Sequence, residues 1–332
     1  MLLDQEISIP SDLKYSSIRV KMNNNSIFKT WLSLGFHGSM SYLSSDDGIK
    51  KRVDPSLLMR ESKSIVVFLL NYKSEVHTKE GYGRIAKYAC FEDYHRFFPK
   101  IIDKFMIENG LFRNEYRTYV DTGPISERNL ATNSMNGWIG RNSMFIHPAL
   151  GSFTFLGVSI TDIALDSPSM PSTDLCGSCT RCIESCPTGA INLNRTINSN
   201  LCISYQTIEN RGVIPSYISN RMKDMIFGCD ICNDVCPWNG GNKKSSIPEV
   251  NHNQFSNKLK LEDIAFMDKR TFDDNYRKSA IRRAAHEGLA RNAIIALYNA
   301  NREDLVREAS KQFSDVRGKQ AAKLLESENE RK

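Results

Sequence analysis

This chain of 332 residues has no apolar run long enough to cross a membrane and no low-complexity tract. A transmembrane helix needs about 20 consecutive apolar residues, so no transmembrane helix is predicted and no membrane partner is expected. The first residues, MLLDQEISIP, contain acids and a proline instead of the basic flank and apolar core of a signal peptide. We therefore expect a cytoplasmic protein in a reducing compartment.

Cysteine is scarce except in one segment, which contains eight of the nine cysteines. A disulfide framework spread over a small secreted fold is therefore absent. The first run has the spacing C-x2-C-x2-C-x3-C and is followed at once by Pro187; its members are Cys176, Cys179, Cys182 and Cys186. A second run also ends before a proline, Pro237; its members are Cys229, Cys232 and Cys236. This spacing is typical of bacterial ferredoxins, which transfer single electrons.

In two-cluster ferredoxins the last cysteine of each run binds the cluster of the other run. Cluster 1 is therefore predicted to be a 4Fe–4S cluster bound by Cys176, Cys179, Cys182 and Cys236. Cluster 2 would be bound by Cys186, Cys229, Cys232 and Cys202, because Ile226 stands where the second run lacks its first cysteine. Two zinc sites are the alternative, since C-x2-C pairs also bind zinc. Four cysteines in one run with a terminal proline favour iron and sulfide.

The chain divides into three predicted domains of an α+β protein. Residues 1–165 combine two apolar, β-branched runs, Ser64–Leu70 and Phe153–Thr161, with a helical pattern at Tyr94–Glu108, which predicts an α/β domain. Residues 166–245 begin with a Pro- and Ser-rich linker and hold the cysteine runs. Residues 246–332 have only helical patterns and resemble a short HEAT-type repeat of paired helices. The hydrophobic content of 40% is sufficient for globular cores.

Positive charge is in modest excess. The net charge of +6 permits a polyanionic partner without requiring one. Candidate phosphate contacts lie between the cysteine runs and on the predicted helix Ser279–Leu297; they are Arg211, Arg221, Lys223, Arg282, Arg283 and Arg291. An ordinary solvated helix face is the alternative for the last three.

Three segments resemble the epoxyqueuosine reductase family: VDTGPISERNLATNSMNGWIGRN at Val120–Asn142, CISYQTIENRG at Cys202–Gly212 and GCDICNDVCPWN at Gly228–Asn239. The resemblance runs from HGSMSYL, which begins at His37, to RNAIIAL, which ends at Leu297. It implies two 4Fe–4S clusters, a cobalamin cofactor and reduction of epoxyqueuosine to queuosine at the wobble position of tRNA. It also implies a nitroreductase- and reductive-dehalogenase-like cobalamin domain, a HEAT-like tRNA-binding domain, an external electron donor and a monomer. Of the six basic residues above, Arg282, Arg283 and Arg291 lie in the HEAT-like domain, and the other three lie between the cysteine runs. Asn136 and Arg141 depart from the family pattern, which has an apolar residue and a lysine there.

The same resemblance implies the residues of the catalytic site. Asp121 matches the family's proton donor, and its apolar neighbours predict a carboxyl pKa raised by burial. A turn or cap before a helix that begins near Ser126 is the alternative for this aspartate. Cobalamin contacts are predicted at Arg52, Cys90, Asp121, Gly137, Trp138, Ile139, Gly140, Arg141, Gly151 and Ser152.

Several of these positions also have structural alternatives. Trp138 suits a core position equally well, and Cys90 suits a buried structural thiol. Glycines at 137 and 140 would let backbone approach a flat ligand closely. No histidine ligand to cobalt is predicted, because the D-x-H-x-x-G signature beginning at Asp93 has Phe98 in place of its glycine. His95 in that segment is interpreted as a helix-start residue or a pocket wall.

Other functions remain compatible with parts of this pattern. A reductive dehalogenase-like corrinoid enzyme would share both cofactors, but the basic helical tail and the lack of an export signal count against it. A ferredoxin-type electron carrier would not need about 165 residues before its first cluster ligand. A nucleic-acid-binding module with purely structural clusters would bind no corrinoid.

Overall fold

The computed structural model describes residues 8–76, 78–166, 173–241, 245–247, 250, 255 and 258–329. Most of the Pro- and Ser-rich linker at 166–174 lies outside these residues, as do most of residues 242–257. The strands are β1 (Lys14–Arg19), β2 (Ser64–Asn71), β3 (Arg84–Ile85), β4 (Tyr116–Tyr119), β5 (Trp138–Ile139), β6 (Phe145–Ile146), β7 (Thr154–Thr161) and β8 (Met225–Phe227).

Helices alternate with strands as far as β8, and the elements described after β8 are helices. Those before residue 250 are α1 (Ser26–Ser33), α2 (Asp46–Val53), α3 (Tyr94–Glu108), α4 (Glu127–Ser134), α5 (Arg181–Glu184), α6 (Ile203–Ile208), α7 (Ser216–Ser219) and α8 (Ile231–Asp234). Those after it are α9 (Leu261–Ala265), α10 (Lys269–Tyr276), α11 (His286–Asn299), α12 (Glu303–Gln312) and α13 (Val316–Asn329). In the described part of the chain, no helix combines the length and apolar character needed to cross a bilayer.

A four-stranded antiparallel sheet organises the N-terminal region, in the order β1-β2-β7-β4. The two central strands pair along their whole length, from Ser64 opposite Thr161 to Asn71 opposite Thr154. Successive side chains of a strand point to opposite faces, and here both faces are covered. The even-numbered apolar residues of β2 join the core that contains α3, while the odd-numbered ones join the core that contains α4. The long apolar run of β2 is thereby explained, and both predicted strands and the predicted helix α3 are confirmed.

The cysteine-rich region packs directly against this domain. Strand β8, just before the second cysteine run, pairs in parallel with β3 of the N-terminal domain. The two regions are therefore joined by backbone hydrogen bonds. Ile226 of β8 is fully buried, and a side chain added at Gly83 would lie 2.3 Å from its Cδ1 atom. Ile226 therefore has a packing role in the strand.

The C-terminal region is helical, as the sequence predicts. Helix α11 packs against α9, α12 and α13 and also against β8 and α6 of the cysteine-rich region. The predicted helix Ser279–Leu297 is interrupted: a 3-10 turn at Ala280–Ala284 precedes Ala285, whose φ is +59°, and α11 begins after it. The comparison of these helix pairs with a HEAT repeat stays a prediction.

Arg291 corrects one sequence-based prediction. Its side chain is fully buried, and its guanidinium donates to the carbonyl oxygens of Gln206 (2.8 Å), Asn210 (2.8 Å) and Gly212 (2.5 Å). The neighbouring Asn292 donates to the carbonyls of Thr207 and Ile226, each at 2.8 Å. The prediction that Arg291 contacts tRNA is therefore wrong, because this arginine ties α11 to the end of α6.

Candidate iron–sulfur and acid–base sites

The four cysteines predicted to bind cluster 1 line one cavity of about 130 Å³. They come from two separate turns, at Cys176–Cys182 and at Cys236, and Arg141, Asn142 and Ile146 close the cavity from the N-terminal domain. Each cysteine turn begins or ends a short helix, α5 or α8, so the thiols project from both walls. Four thiols around one cavity of this kind can bind a cubane cluster.

The remaining four cysteines form a second group. Burial first, and then the neighbouring Cys202 and Cys186, raise the pKa of the Cys229 thiol to about 12. Burial and then Cys202 raise the pKa of Cys232 in the same way. Cys202 occupies the N-terminal end of α6, and the N–H of Ala190 donates to Cys186 Sγ at 3.3 Å. In the described part of the chain no three His, Cys, Asp or Glu side chains form a site for a single metal ion.

The hairpin formed by β5 and β6 faces cluster 1. Trp138 is buried, with 2% of its surface exposed, and its Nε1 donates to Cys176 Sγ at 3.3 Å. A side chain at Gly137 would lie 2.3 Å from the ring of Phe145, and one at Gly140 would lie 2.5 Å from Ile146 Cδ1. These glycines are thus required by packing inside the hairpin. Their predicted contact with a flat ligand stays a prediction.

Gly151 and Ser152 lie in a buried junction between the N-terminal and cysteine-rich regions. Ser152 is 1% exposed; its Oγ contacts Asn233 Oδ1 at 2.9 Å, and its N–H donates to Asn239 Oδ1 at 2.8 Å. Asn142 also donates to Asn233, at 3.0 Å. Ser152 has no surface left for a cofactor, so its prediction as a cobalamin contact is wrong.

Cys90 is a buried thiol in the main core. Only 2% of it is exposed, its Sγ lies 3.6 Å from the carbonyl oxygen of Ala86, and burial raises its pKa to about 12. A thiol with such a pKa stays protonated and unreactive. The structural interpretation of this cysteine, rather than a cofactor contact, fits this environment.

Asp121 belongs to a group of acid–base side chains. His95, near the start of α3, has its Nδ1 2.6 Å from Asp93 Oδ1 and its Nε2 3.4 Å from Asp121 Oδ2. That second contact is an ion-pair distance, and Nε2 has no hydrogen-bond partner among the described residues. The backbone N–H of Asp121 donates to Glu127 Oε1 at 2.6 Å. The φ of Asp121 is +60°, a conformation that is uncommon for residues other than glycine.

The electrostatics of this group differ from the sequence-based prediction. His95 against the carboxylate lowers the pKa of Asp121, and this effect exceeds the opposing effect of burial. Burial alone would lower the pKa of His95, but the contacts with Asp121 and Asp93 raise it to about 9. Burial and the nearby Asp121 raise the pKa of Glu127 to about 8. The prediction of a raised pKa for Asp121 is therefore wrong, and the protons near neutral pH reside on His95 and Glu127.

Comparison with known proteins decides the family. Residues 175–239 match a family model described as a 4Fe–4S double cluster binding domain, and residues 52–122 match one described as Epoxyqueuosine reductase QueG, DUF1730. An epoxyqueuosine reductase of Cyclobacterium marinum is 37% identical over 272 residues, which cover 80% of this chain and 85% of that protein. One of Vibrio cholerae is 35% identical over 280 residues, or 82% and 75% of the two chains. The chain belongs to the epoxyqueuosine reductase family.

Solved structures of epoxyqueuosine reductases share this fold. A crystal structure with an epoxyqueuosine-modified tRNA-Tyr stem loop has 27% identity and a TM-score of 0.83, covering 95% of this chain and 85% of that one. The Bacillus subtilis enzyme, 26% identical with a TM-score of 0.82, is described with its catalytic aspartate loop swung out of the active site; the match covers 95% and 86%. The 4Fe–4S family model also decides between iron–sulfur clusters and the zinc alternative in favour of the clusters.

This epoxyqueuosine reductase-like chain presents an open face beside Asp121. The Asp121 side chain is 66% exposed. Burial lowers the pKa of the nearby Arg52, and Tyr42 and Glu127 oppose that effect. The Arg283 guanidinium lies 5.6 Å from the centre of the Tyr42 ring and pairs with Glu209 at 2.7 Å. All three regions of the chain therefore contribute to this face.

The other basic residues predicted to contact tRNA differ in their exposure and in their hydrogen bonds to the protein. Arg282 and Lys223 are exposed, and Arg221 is exposed with Nη1 donating to the carbonyl of Pro187 at 3.0 Å. Arg211 instead donates to the carbonyls of Ile208, Arg283 and Ala284, which joins α6 to the C-terminal region.

Sequence reasoning missed His95 and Glu127. The sequence interpreted His95 as a helix-start residue or a pocket wall, and it left Glu127 equally open as a salt bridge, a cap or a ligand contact, so neither was assigned an acid–base role. The signal for His95 was its position two residues after Asp93, which is the helix cap that fixes the ring. No local signal marked Glu127, because its pKa depends on burial against a loop six residues away.

Proposed function

We propose that this chain reduces epoxyqueuosine to queuosine in the anticodon of tRNA. The observation that carries the proposal is an exposed carboxylate, Asp121, held against the protonated His95 in the same fold as eight cysteines with two-cluster spacing. Membership of the epoxyqueuosine reductase family and a relative solved with an epoxyqueuosine-modified tRNA stem loop support the same substrate.

The reaction defines what the residues must supply. Converting an epoxide to an alkene removes one oxygen as water and consumes two electrons and two protons. Cubane clusters deliver electrons one at a time, and an external low-potential donor must refill them. The oxygen leaves as a poor leaving group unless an acid within hydrogen-bond reach protonates it. The chain must therefore deliver protons at a site open to a nucleotide.

Asp121 is the group that would pass the proton to the epoxide oxygen. Its carboxylate is ionised in the free protein, so its proton must come from a neighbour. His95 has that proton near neutral pH, because its pKa is raised to about 9, and its Nε2 faces Asp121 Oδ2. Asp93 on the opposite ring nitrogen fixes the orientation of the imidazole. Glu127 accepts the backbone N–H of Asp121 and positions the strained residue.

Cobalamin is the cofactor that the family resemblance implies, and the open face beside Asp121 fits it in part. Tyr42 and Asp121 are exposed there, and Arg52 is half-buried with its Nη1 on the carbonyl of Gly48 at 3.2 Å. These residues, with the partly exposed Ile139, would hold the cofactor; the buried Gly151 and Ser152 would not. When bound, cobalamin would supply a metal centre that accepts electrons singly and reacts at carbon.

The tRNA would meet the same face and the charges around it. Exposed arginines and lysines bind phosphates, while unpaired anticodon bases can be turned out into a pocket. Arg221, Lys223, Arg282 and Arg283 are the basic residues proposed for this role. We further propose that the protein acts as a cytoplasmic monomer with the domain limits 1–165, 166–245 and 246–332.

The test is turnover with purified, anaerobically reconstituted protein, cobalamin, a reductant and tRNA carrying epoxyqueuosine. Asp121→Asn removes the proton donor and should reduce turnover by about 10²–10⁴-fold, while both clusters and the bound corrinoid keep the parent's absorption spectrum. His95→Gln should give a smaller loss, because bulk water can slowly reprotonate Asp121. Lys50→Gln, at an exposed position of α2, is the control and should turn over normally. Full activity of Asp121→Asn would refute the acid assignment, and no activity in the parent protein would refute the substrate.

A further inference from the structure

The β5–β6 hairpin of the N-terminal domain covers the cavity of cluster 1. Arg141 and Asn142, in the turn of this hairpin, and Ile146 in β6 line the cavity together with the four thiols. The hairpin is held there by contacts that do not involve the cluster. Arg195 bonds to the carbonyl of Ile139 and to Asp174, and Arg141 Nη2 donates to the carbonyl of Gly177 at 2.8 Å. Groups on the hairpin therefore have fixed positions relative to the thiols.

Trp138 directs an N–H group at one cluster thiol. Its Nε1 lies 3.3 Å from Cys176 Sγ, within the usual range for a hydrogen bond to sulfur. The indole is buried and packs edge-on against Trp238, with ring centres 4.9 Å apart and planes at 77°. Trp238 follows the Cys236-Pro237 pair, so both cysteine turns of cluster 1 help to fix the orientation of this donor. A packing role alone would not require the N–H to face sulfur.

Arg141 brings a second donor to the same cavity. Its Nε is buried and has no hydrogen-bond partner among the described residues, although its Nη2 has one. Leaving a charged N–H unpaired in the interior is costly, and a sulfur of a cluster in the cavity would be a partner for it. The unpaired Nε, the four thiols and the size of the cavity together fit a bound cubane.

We propose that Trp138 and Arg141 raise the reduction potential of cluster 1 above the value that its four thiolates alone would give. Reduction adds one electron to the cluster and breaks no bond, so the reduced cluster has one more negative charge. Hydrogen bonds to the sulfurs and a nearby guanidinium stabilise that form. Both residues are positioning residues that act through the cluster. The inference requires the 4Fe–4S clusters but neither cobalamin nor the proposed substrate.

The proposal implies that these two residues affect the reduction potential of cluster 1 and leave that of cluster 2 unaffected. The described contacts of cluster 2 include the backbone N–H of Ala190 on Cys186 Sγ, and the cavity lined by the hairpin contains none of the four cysteines assigned to cluster 2. With a higher potential at cluster 1, electrons entering the protein would collect there, beside the N-terminal domain that contains Asp121. The direction of electron flow would thus follow from two side chains of that domain.

The experiment is a redox titration followed by electron paramagnetic resonance on the full chain reconstituted with iron and sulfide. Trp138→Phe keeps an aromatic ring and removes the N–H. We expect the ratio of reduced to oxidised cluster 1 at a fixed potential to fall about tenfold, which is 59 mV for one electron. Cluster 2 in the same sample is the internal control and should not shift. Cys202→Ala, which lacks a proposed cluster 2 ligand, identifies the signal of cluster 1.

A second variant protects the test against a folding defect in Trp138→Phe. Arg141→Met keeps the length of the side chain but removes its charge and donors, and should shift cluster 1 in the same direction. Arg270→Met removes an exposed arginine far along the chain and should leave both potentials unchanged. Unchanged cluster 1 potentials in both hairpin variants, at full iron content, would overturn the proposal. A shift of both clusters by equal amounts would also overturn it, because the effect would then not be local.

Discussion

Replacing Arg291 with methionine should destabilise the protein without any direct effect on tRNA. The guanidinium donates to three backbone carbonyls at the end of α6, and burial lowers its pKa to about 9. Each buried acceptor left without its partner costs about 1–3 kcal/mol, while removal of a desolvated charge offsets part of the loss. Because three acceptors are affected and the offset is partial, we expect a net destabilisation of about 3–5 kcal/mol.

Thermal unfolding of the reconstituted protein measures this loss. For a domain of roughly 200 residues 1 kcal/mol corresponds to about 2–4 °C, so the midpoint should fall by roughly 10 °C. Arg282→Met is the matched control, because this exposed arginine lies nine residues earlier and should change stability by less than about 0.5 kcal/mol. The reasoning is refuted if Arg291→Met unfolds like the parent but binds tRNA less tightly, since the arginine would then be a phosphate ligand.

Two further predictions concern pH and the buried junction. The folded state raises the pKa of Glu127 from its ordinary value of 4.5 to about 8, so this group's contribution to stability is complete below pH 4.5 and is lost as pH rises through 8. Glu127→Gln should therefore weaken the fall in urea midpoint between pH 5.5 and 8.5; an unchanged fall would contradict the shift. Ser152→Ala should lower the free energy of unfolding of the corrinoid-free protein by about 1–3 kcal/mol, measured in urea, and should leave the affinity for the corrinoid unchanged. Unchanged stability with weaker corrinoid binding would instead identify Ser152 as a cofactor contact.

The sequence predicts the elements whose formation depends on local pattern. The run Ser64–Leu70 needs apolar residues on both faces, and β2 has both faces buried. The helix Tyr94–Glu108 is found with the predicted limits, because Asp93 caps its first turn and its apolar residues share one face. The spacing of the cysteines likewise predicts which thiols share a cavity, since the crossover rule depends only on their order along the chain.

Sequence cannot predict the outcome where a polar side chain has two possible environments. Arg291 has the composition and helical position of a surface arginine, but its partners are carbonyls of a loop about 80 residues earlier. Gly137 and Gly140 match a ligand-binding turn as well as they match a packed hairpin, and the packing against Phe145 and Ile146 is visible only in the structure. The pKa of Asp121 reverses for the same reason, because His95 is 26 residues away in sequence.

These errors share a physical cause that bears on how the protein works. The contacts that sequence analysis assigned to ligands, at Ser152 and Arg291, are buried hydrogen bonds between regions of the chain. Apolar surfaces tolerate small shifts, whereas buried polar groups lose their partners if the regions slide. Electron transfer to a reacting centre and proton delivery from Asp121 both require fixed distances. The buried hydrogen bonds at Ser152 and Arg291 would keep the clusters and Asp121 at fixed distances from one another. A substitution at either residue should therefore reduce turnover more than its loss of stability alone predicts.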